Sequence, residues 1–155
     1  MIEWLLKKLV VRLKSRTIET DGRPYLTRWY LWPGAPRTGG DQVTPQSRFA
    51  VFIHFFHRGD GDRELHNHPW SNSVSLILTG GYVEEREHEI RTLRPGMLNF
   101  IKSDDFHRVE LLKPEKGCWT IFVAGKGVQD WGFKARGSNV FVPWREYLGG
   151  ENTVS

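Results

Sequence analysis

Residues 64–70 read Glu64-Leu65-His66-Asn67-His68-Pro69-Trp70. On a strand, residues i and i+2 point to the same face, so His66 and His68 are expected to project toward one point. Pro69 favours this, because the residue before a proline is pushed toward extended geometry. Two imidazoles held this way suit a metal ion, with a third ligand coming from elsewhere in the chain. The best third candidate is His107, in Asp104-Asp105-Phe106-His107-Arg108-Val109-Glu110, where it opens an expected strand. A lone His-x-His pair is weak evidence, since such residues are more often simply hydrogen-bonded. The third histidine at the head of a returning strand is what gives the pair weight.

Working outward, the chain around this stretch is a succession of short apolar runs divided by turn signals. Strands are expected at 25–32, 49–57, 65–69, 73–79, 81–87, 89–93, 97–102, 106–112, 118–124 and 139–142. The dividing turns include Gly59-Asp60-Gly61-Asp62, Thr79-Gly80-Gly81, Arg94-Pro95-Gly96 and Lys113-Pro114-Glu115-Lys116-Gly117. Many short strands with regular turns indicate a sandwich or barrel. Residues 33–48, rich in Pro and Gly, read as a long loop at the rim. The C-terminal aromatics, Trp131, Phe133, Trp144 and Tyr147 among them, are expected to pack across a barrel end.

Residues 2–14 have a different period. Ile2, Leu5, Leu6, Leu9, Val10 and Leu13 recur at spacings of three and four, with most of the lysines elsewhere, which marks an amphipathic helix. The organisation expected is therefore an N-terminal helix, 1–16, and one barrel domain, 17–150. Lysines and an arginine interrupt the apolar stretch and no small-residue cleavage site follows, so it is not read as a signal peptide. No run is long enough for a membrane span. The helix could instead serve as an interaction element, the reading of a structural or partner-binding protein.

The composition fits a globular domain of 155 residues, with 39% hydrophobic and 26% charged residues. Seven Trp and nine Phe suit a filled barrel or an aromatic pocket. The net charge of +4 and pI near 9.4 admit an anionic ligand, but no basic block or known motif points to nucleic acid. Cys118 is the only cysteine, so no internal disulfide can form, and it sits in an apolar run; both fit a cytoplasmic location. Neither a phosphate-binding glycine loop nor a serine-triad motif is present.

The histidine frame resembles that of the cupin superfamily of small jelly rolls. The family's first motif has two His one residue apart, then Glu after three or four residues, then Gly after six more. His66, His68 and Gly80 keep this frame, with Ser73 in the place of Glu. The second motif is anchored here by Gly96 and His107, while Lys102, Asp104 and Leu111 replace its Pro, inner Gly and Asn. The resemblance covers 64–112 most firmly. It implies an all-β, cupin-type β-barrel or jelly roll preceded by the amphipathic helix.

It also implies one divalent transition metal on His66, His68 and His107. Fe2+ and Zn2+ lead, and Mn2+, Ni2+ and Cu2+ suit imidazole as well. Without the Glu, three neutral ligands leave the full charge of the ion available to a substrate. The competing reading is a cupin that lost its metal together with its Glu. Glu84 and Tyr82 are the candidates for catalytic acid–base roles. Trp70, Ser73, Ser75, His54, Arg28 and Arg108 are the candidates for contacts with a small-molecule ligand, an anion among the choices. The leading function is a metal-dependent enzyme, dioxygenase-like chemistry ahead of isomerisation and hydrolysis. The alternative is a non-catalytic module that binds or sequesters a small anion. Cupins often form homodimers, though the sequence defines no interface.

Overall fold

In the computed structural model, residues 2–32, 48–61, 63–135 and 137–147 are described. Helix α1 (Ile2–Val10) is followed by strands β1 (Ser15–Thr20), β2 (Arg23–Trp32), β3 (Ala50–Phe56), β4 (Leu65–His66), β5 (Asn72–Thr79) and β6 (Tyr82–Arg86). Then come β7 (Ile90–Leu93), β8 (Leu98–Lys102), β9 (His107–Leu111), β10 (Cys118–Ala124), β11 (Gly132–Lys134), β12 (Phe141–Pro143) and the short helix α2 (Trp144–Tyr147). The expected loop at 33–48 lies, apart from residue 48, outside the described residues. Among the described residues no helix is long and apolar enough to cross a membrane.

The strands form two six-stranded sheets, in the orders β1-β2-β3-β10-β5-β8 and β12-β11-β4-β9-β6-β7. All pairings are antiparallel, and the two sheets face each other in the jelly-roll arrangement expected. Alternation sets what lies between them. On β5, Ser73, Ser75, Ile77 and Thr79 are buried while their neighbours are less so. One interior cluster, with Tyr30, Phe52, Trp70, Ile101 and Phe122, fills one end. A second joins Ile77 and Cys118 of the first sheet to Tyr82, Leu93, Val109 and Leu111 of the second.

The first sheet is apolar on its outer side too, because α1 lies there. Leu6 and Val10 pack with Ile53 and Trp119, with Leu13, Trp29, Phe55 and Leu78 around them. Burying two such aliphatic side chains stabilises by about 1.5–3 kcal/mol each. The helix is shorter than the 2–14 expected. Leu13 N–H donates to Val10 O in a closing turn, and Lys14 O accepts from Tyr30 N–H, which leads the chain into β1. That strand was not foreseen. Its sequence Ser-Arg-Thr-Ile-Glu-Thr is mostly exposed at a sheet edge, so it carries little apolar alternation.

Candidate metal centre

Strand β4 is only two residues long, not the 65–69 expected. It lies between β9 and β11, with His66 directly opposite His107 on one side and Phe133 on the other. After it, the Asn67 side chain takes over the role of a ladder. Its Oδ1 accepts from Gly132 N–H at 2.9 Å, its Nδ2 donates to Ser103 O at 3.1 Å, and its own N–H donates to Gly132 O. Buried Asn67 thus pins the backbone between the two histidines. The His68 ring stacks on Trp70 with centroids 5.7 Å apart and lies 6.0 Å from Phe122.

The three imidazoles meet. Ring centroids are 4.9 Å apart for His66 and His107, 5.0 Å for His68 and His107, and 5.4 Å for His66 and His68. One ligand nitrogen from each lies within 4.8 Å of the others, and His68 Nε2 is 2.8 Å from His107 Nε2. Nitrogens sharing one ion at metal–nitrogen distances of about 2.0–2.1 Å sit about 3 Å apart, so the donor set fits a transition metal after a small closure. Burial, with the neighbouring imidazole of His107, pushes the His66 pKa down to about 4, and burial lowers His68 well below the ordinary histidine value. Both rings are neutral at pH 7, the form that ligates.

Behind His107 stands a charged network from β6, β7 and β8. Glu84, fully buried, accepts from His107 Nδ1 on Oε1 at 2.6 Å. The same oxygen accepts from Asn99 Nδ2 at 2.8 Å. The other oxygen accepts from Arg86 Nε at 3.0 Å and Arg91 Nη2 at 2.5 Å. Asn99 Oδ1 in turn accepts from both arginines, and Arg86 also reaches Asp105. Burial alone would raise the Glu84 pKa, but these hydrogen bonds, led by His107, hold it well below the usual carboxylate range. A carboxylate there fixes His107 as the Nδ1–H tautomer, which leaves the Nε2 lone pair facing His68 and His66.

The other expected site residues divide. Tyr82 faces the interior, where its hydroxyl accepts from Asn99 Nδ2 at 3.2 Å, and burial raises its pKa. Ser73 and Ser75 are buried on the inward face of β5. His54 is buried on β3 and accepts at Nε2 from Arg28 Nε at 2.9 Å, while the Arg28 guanidinium lies over Phe52 and Trp70. Arg108 is not brought to the centre. The two-residue period of β9 turns it away from His107, and it bonds Glu85 and Gly61 O instead. Glu84 departs from the general-base expectation in its surroundings, since protein donors engage both of its oxygens. An outer cavity of about 420 Å³, with Glu3, Arg94 and Lys113 in its wall, shares no residue with the triad.

Several residues of the site went unseen in the sequence. Asn99 sits in Leu98-Asn99-Phe100-Ile101, where the large apolar residues Leu98 and Phe100 are the exposed ones. The readable signal was that Asn99 shares the register of Ile101. Asp60, buried below the site, accepts from Val109 N–H at 2.7 Å and from Arg63, which ties the Gly59–Gly61 turn to β9.

The two facing jelly-roll sheets match solved structures over most of the chain. A cupin described as RmlC-like from Shewanella frigidimarina superposes with a TM-score of 0.53 at 17% identity, covering 77% of this chain and 88% of that one. The chain has the cupin fold. A second cupin-fold neighbour is Pac13, a nucleoside dehydratase, from Streptomyces, with a TM-score of 0.53 at 11% identity over 81% of this chain and 92% of that one. Iron(II) HppE gives 0.57 at 13% identity over 74% of this chain, which spans only 57% of the HppE chain. No family model and no curated protein matches. The cupin assignment therefore rests on architecture, and these identities carry no activity across.

Proposed function

We propose that this cupin is a metal-dependent enzyme acting on a small molecule, with one divalent ion on His66, His68 and His107. The observation that carries the reading is the convergence of these three rings, with Glu84 locking the His107 tautomer. Bound iron supplies dioxygen chemistry and bound zinc Lewis-acid chemistry. The open positions of an ion held by three imidazoles suit joint binding of substrate and dioxygen, and an iron(II) protein stands among the fold neighbours, so dioxygenation ranks ahead of isomerisation and hydrolysis.

The rest follows from residues of this chain. Glu84 acts as a positioning residue for His107 and not as a general base, because it has protein donors on both oxygens. Trp70 and Phe122 wall one side of His68. The second reading, a binding module without turnover, draws on the buried Arg28 cation of the same interior.

Elemental analysis of protein purified without added metal tests the proposal. Close to one equivalent of a transition metal in wild type, lost in His66→Ala and His107→Ala, supports it, and oxygen uptake on adding candidate substrates selects dioxygenation. Folded wild type that takes up no metal defeats it. Bound metal without turnover of any candidate favours the binding module.

A further inference from the structure

Helix α1 has one apolar stripe more than the fold uses. Leu6 and Val10 are buried on the outer side of the first sheet. Ile2, Leu5 and Leu9, three and four residues apart, form a second stripe beside them and stay exposed. The sheet continues this surface. Cross-strand pairing runs Ile53–Ile121–Leu76–Leu98 and Val51–Val123–Val74–Phe100, two rows on the outward face. The helix packs on Ile53 of the first row. At the β8 edge, Leu98 and Phe100 are 51% and 65% exposed, because alternation turns Asn99 and Ile101 inward instead. Single exposed apolar residues need no explanation, but a helix stripe and a strand edge on one face mark an interaction surface.

The charge on this face has one sign. Strands β2, β3, β5, β8 and β10 contain no Asp or Glu. The one acid of α1, Glu3, is on the opposite flank of the helix, in the wall of the outer cavity with Arg94 and Lys113. Lys8 stands three residues after Leu5, with its ammonium 3.8 Å from the centre of the exposed Trp4 ring. Arg12 follows Leu9 in the turn that closes the helix, and Lys102 ends β8 on the side of Phe100; both are exposed. An apolar centre with a cationic rim and an exposed Trp is the make-up of a surface that lies in a lipid headgroup layer. A two-fold pairing with a second copy would instead set these cations against their own equivalents.

We propose that the outer face of the first sheet, with Ile2, Leu5 and Leu9 of α1 and Leu98 and Phe100 of β8, docks peripherally on an anionic phospholipid surface. The apolar side chains enter the boundary between headgroups and acyl chains, while Lys8, Arg12 and Lys102 meet the anionic headgroups. This inference does not rest on the metal reading.

The test is co-sedimentation of the full chain with vesicles of phosphatidylcholine alone and of phosphatidylcholine with an equal part of phosphatidylglycerol. Saturable binding is expected to the mixed vesicles, weakening as salt is raised, and little to the neutral ones. Lys8→Gln with Arg12→Gln should weaken it about tenfold or more, at about fivefold for each cation near a charged surface. Phe100→Gln, and separately Leu5→Gln with Leu9→Gln, should each weaken it about tenfold through lost apolar insertion. Lys113→Gln with Lys116→Gln removes the same charge beside the outer cavity and should bind like wild type. Circular dichroism checks the fold of each variant; if the leucine pair does not fold, Phe100→Gln and the Lys8, Arg12 pair carry the test. No binding to mixed vesicles, equal binding to both kinds, or wild-type binding in the folded Phe100 and Lys8, Arg12 variants overturns the proposal. So does an equal loss in the Lys113, Lys116 variant. A dimer that ignores vesicles and is made monomeric by Phe100→Gln also overturns it, and assigns the face to a second copy.

Discussion

Glu84 Oε1 lies 2.6 Å from His107 Nδ1, and the two residues come from adjacent strands two positions out of register, Glu84 pairing with Val109 and His107 with Arg86. This diagonal contact joins the three-histidine cluster to the arginine–asparagine network. Glu84→Gln keeps the shape but removes the charge that Arg86 and Arg91 face. Metal affinity should fall about 10–100-fold, the usual loss when a carboxylate behind a ligating histidine is changed. Stability should fall by about 3 kcal/mol, because breaking a buried pair strands its partners. Zinc competition titrations and urea unfolding of metal-free protein measure the two effects.

Acid should destabilise the metal-free protein earlier than carboxylate titration alone would. His54 is neutral in the fold, lowered by burial and then by Arg28, and His66 is pushed down to about 4 by burial. In the unfolded chain both regain a pKa near 6.5. Below that value the unfolded state binds more protons, so stability is full above about pH 6.5 and declines as the pH falls toward 4. Urea midpoints measured in chelator from pH 4.5 to 8 should show a plateau and then this slope. His54→Gln should flatten part of it, and an unchanged slope would remove His54 from the account.

Two glycines separate backbone strain from crowding. Gly22 has φ +65° with open space where a Cβ would stand, so Gly22→Ala should cost about 1–2 kcal/mol from the left-handed conformation alone. At Gly80, φ is +75° and a Cβ would stand 2.2 Å from Gly117 O, a backbone atom. Gly80→Ala should cost clearly more than Gly22→Ala, because two chain segments must part. Thermal or urea unfolding of the two variants side by side decides it.

Docking of α1 can be tested on neighbouring leucines. Leu6 is buried against the first sheet and Leu5 is 53% exposed. Leu6→Ala should destabilise by about 2–3 kcal/mol and Leu5→Ala by less than about 0.5 kcal/mol. Equal effects would mean that the helix is not seated as described.

The sequence made the architecture legible wherever apolar alternation was strong. The expected 73–79 and 118–124 correspond to β5 and β10, which bury one face between the sheets and pack the other beneath α1 or near it. The three histidines were legible because their frame resembles a known motif. What stayed hidden has a common physical cause. Polar residues that satisfy one another across strands leave little periodic mark, so Asn67 gave no sign of its role and Asn99 only its shared register with Ile101. β1 and β11 were missed because one is a polar edge and the other only three residues long. Glu84 was picked out for its residue type, but its bond to His107 depends on the pairing of β6 with β9, which local sequence does not encode.

Asn67 bridges Ser103 and Gly132, so the segment that carries two of the three imidazoles is moored to chain made much later. During synthesis, residues 66 and 68 emerge from the ribosome well before either mooring exists. On the metal reading proposed above, the coordination sphere is complete only once β11 has been added, so the ion is expected to be acquired after translation of that strand. Metal uptake by stalled chains of increasing length would accordingly rise in a single late step.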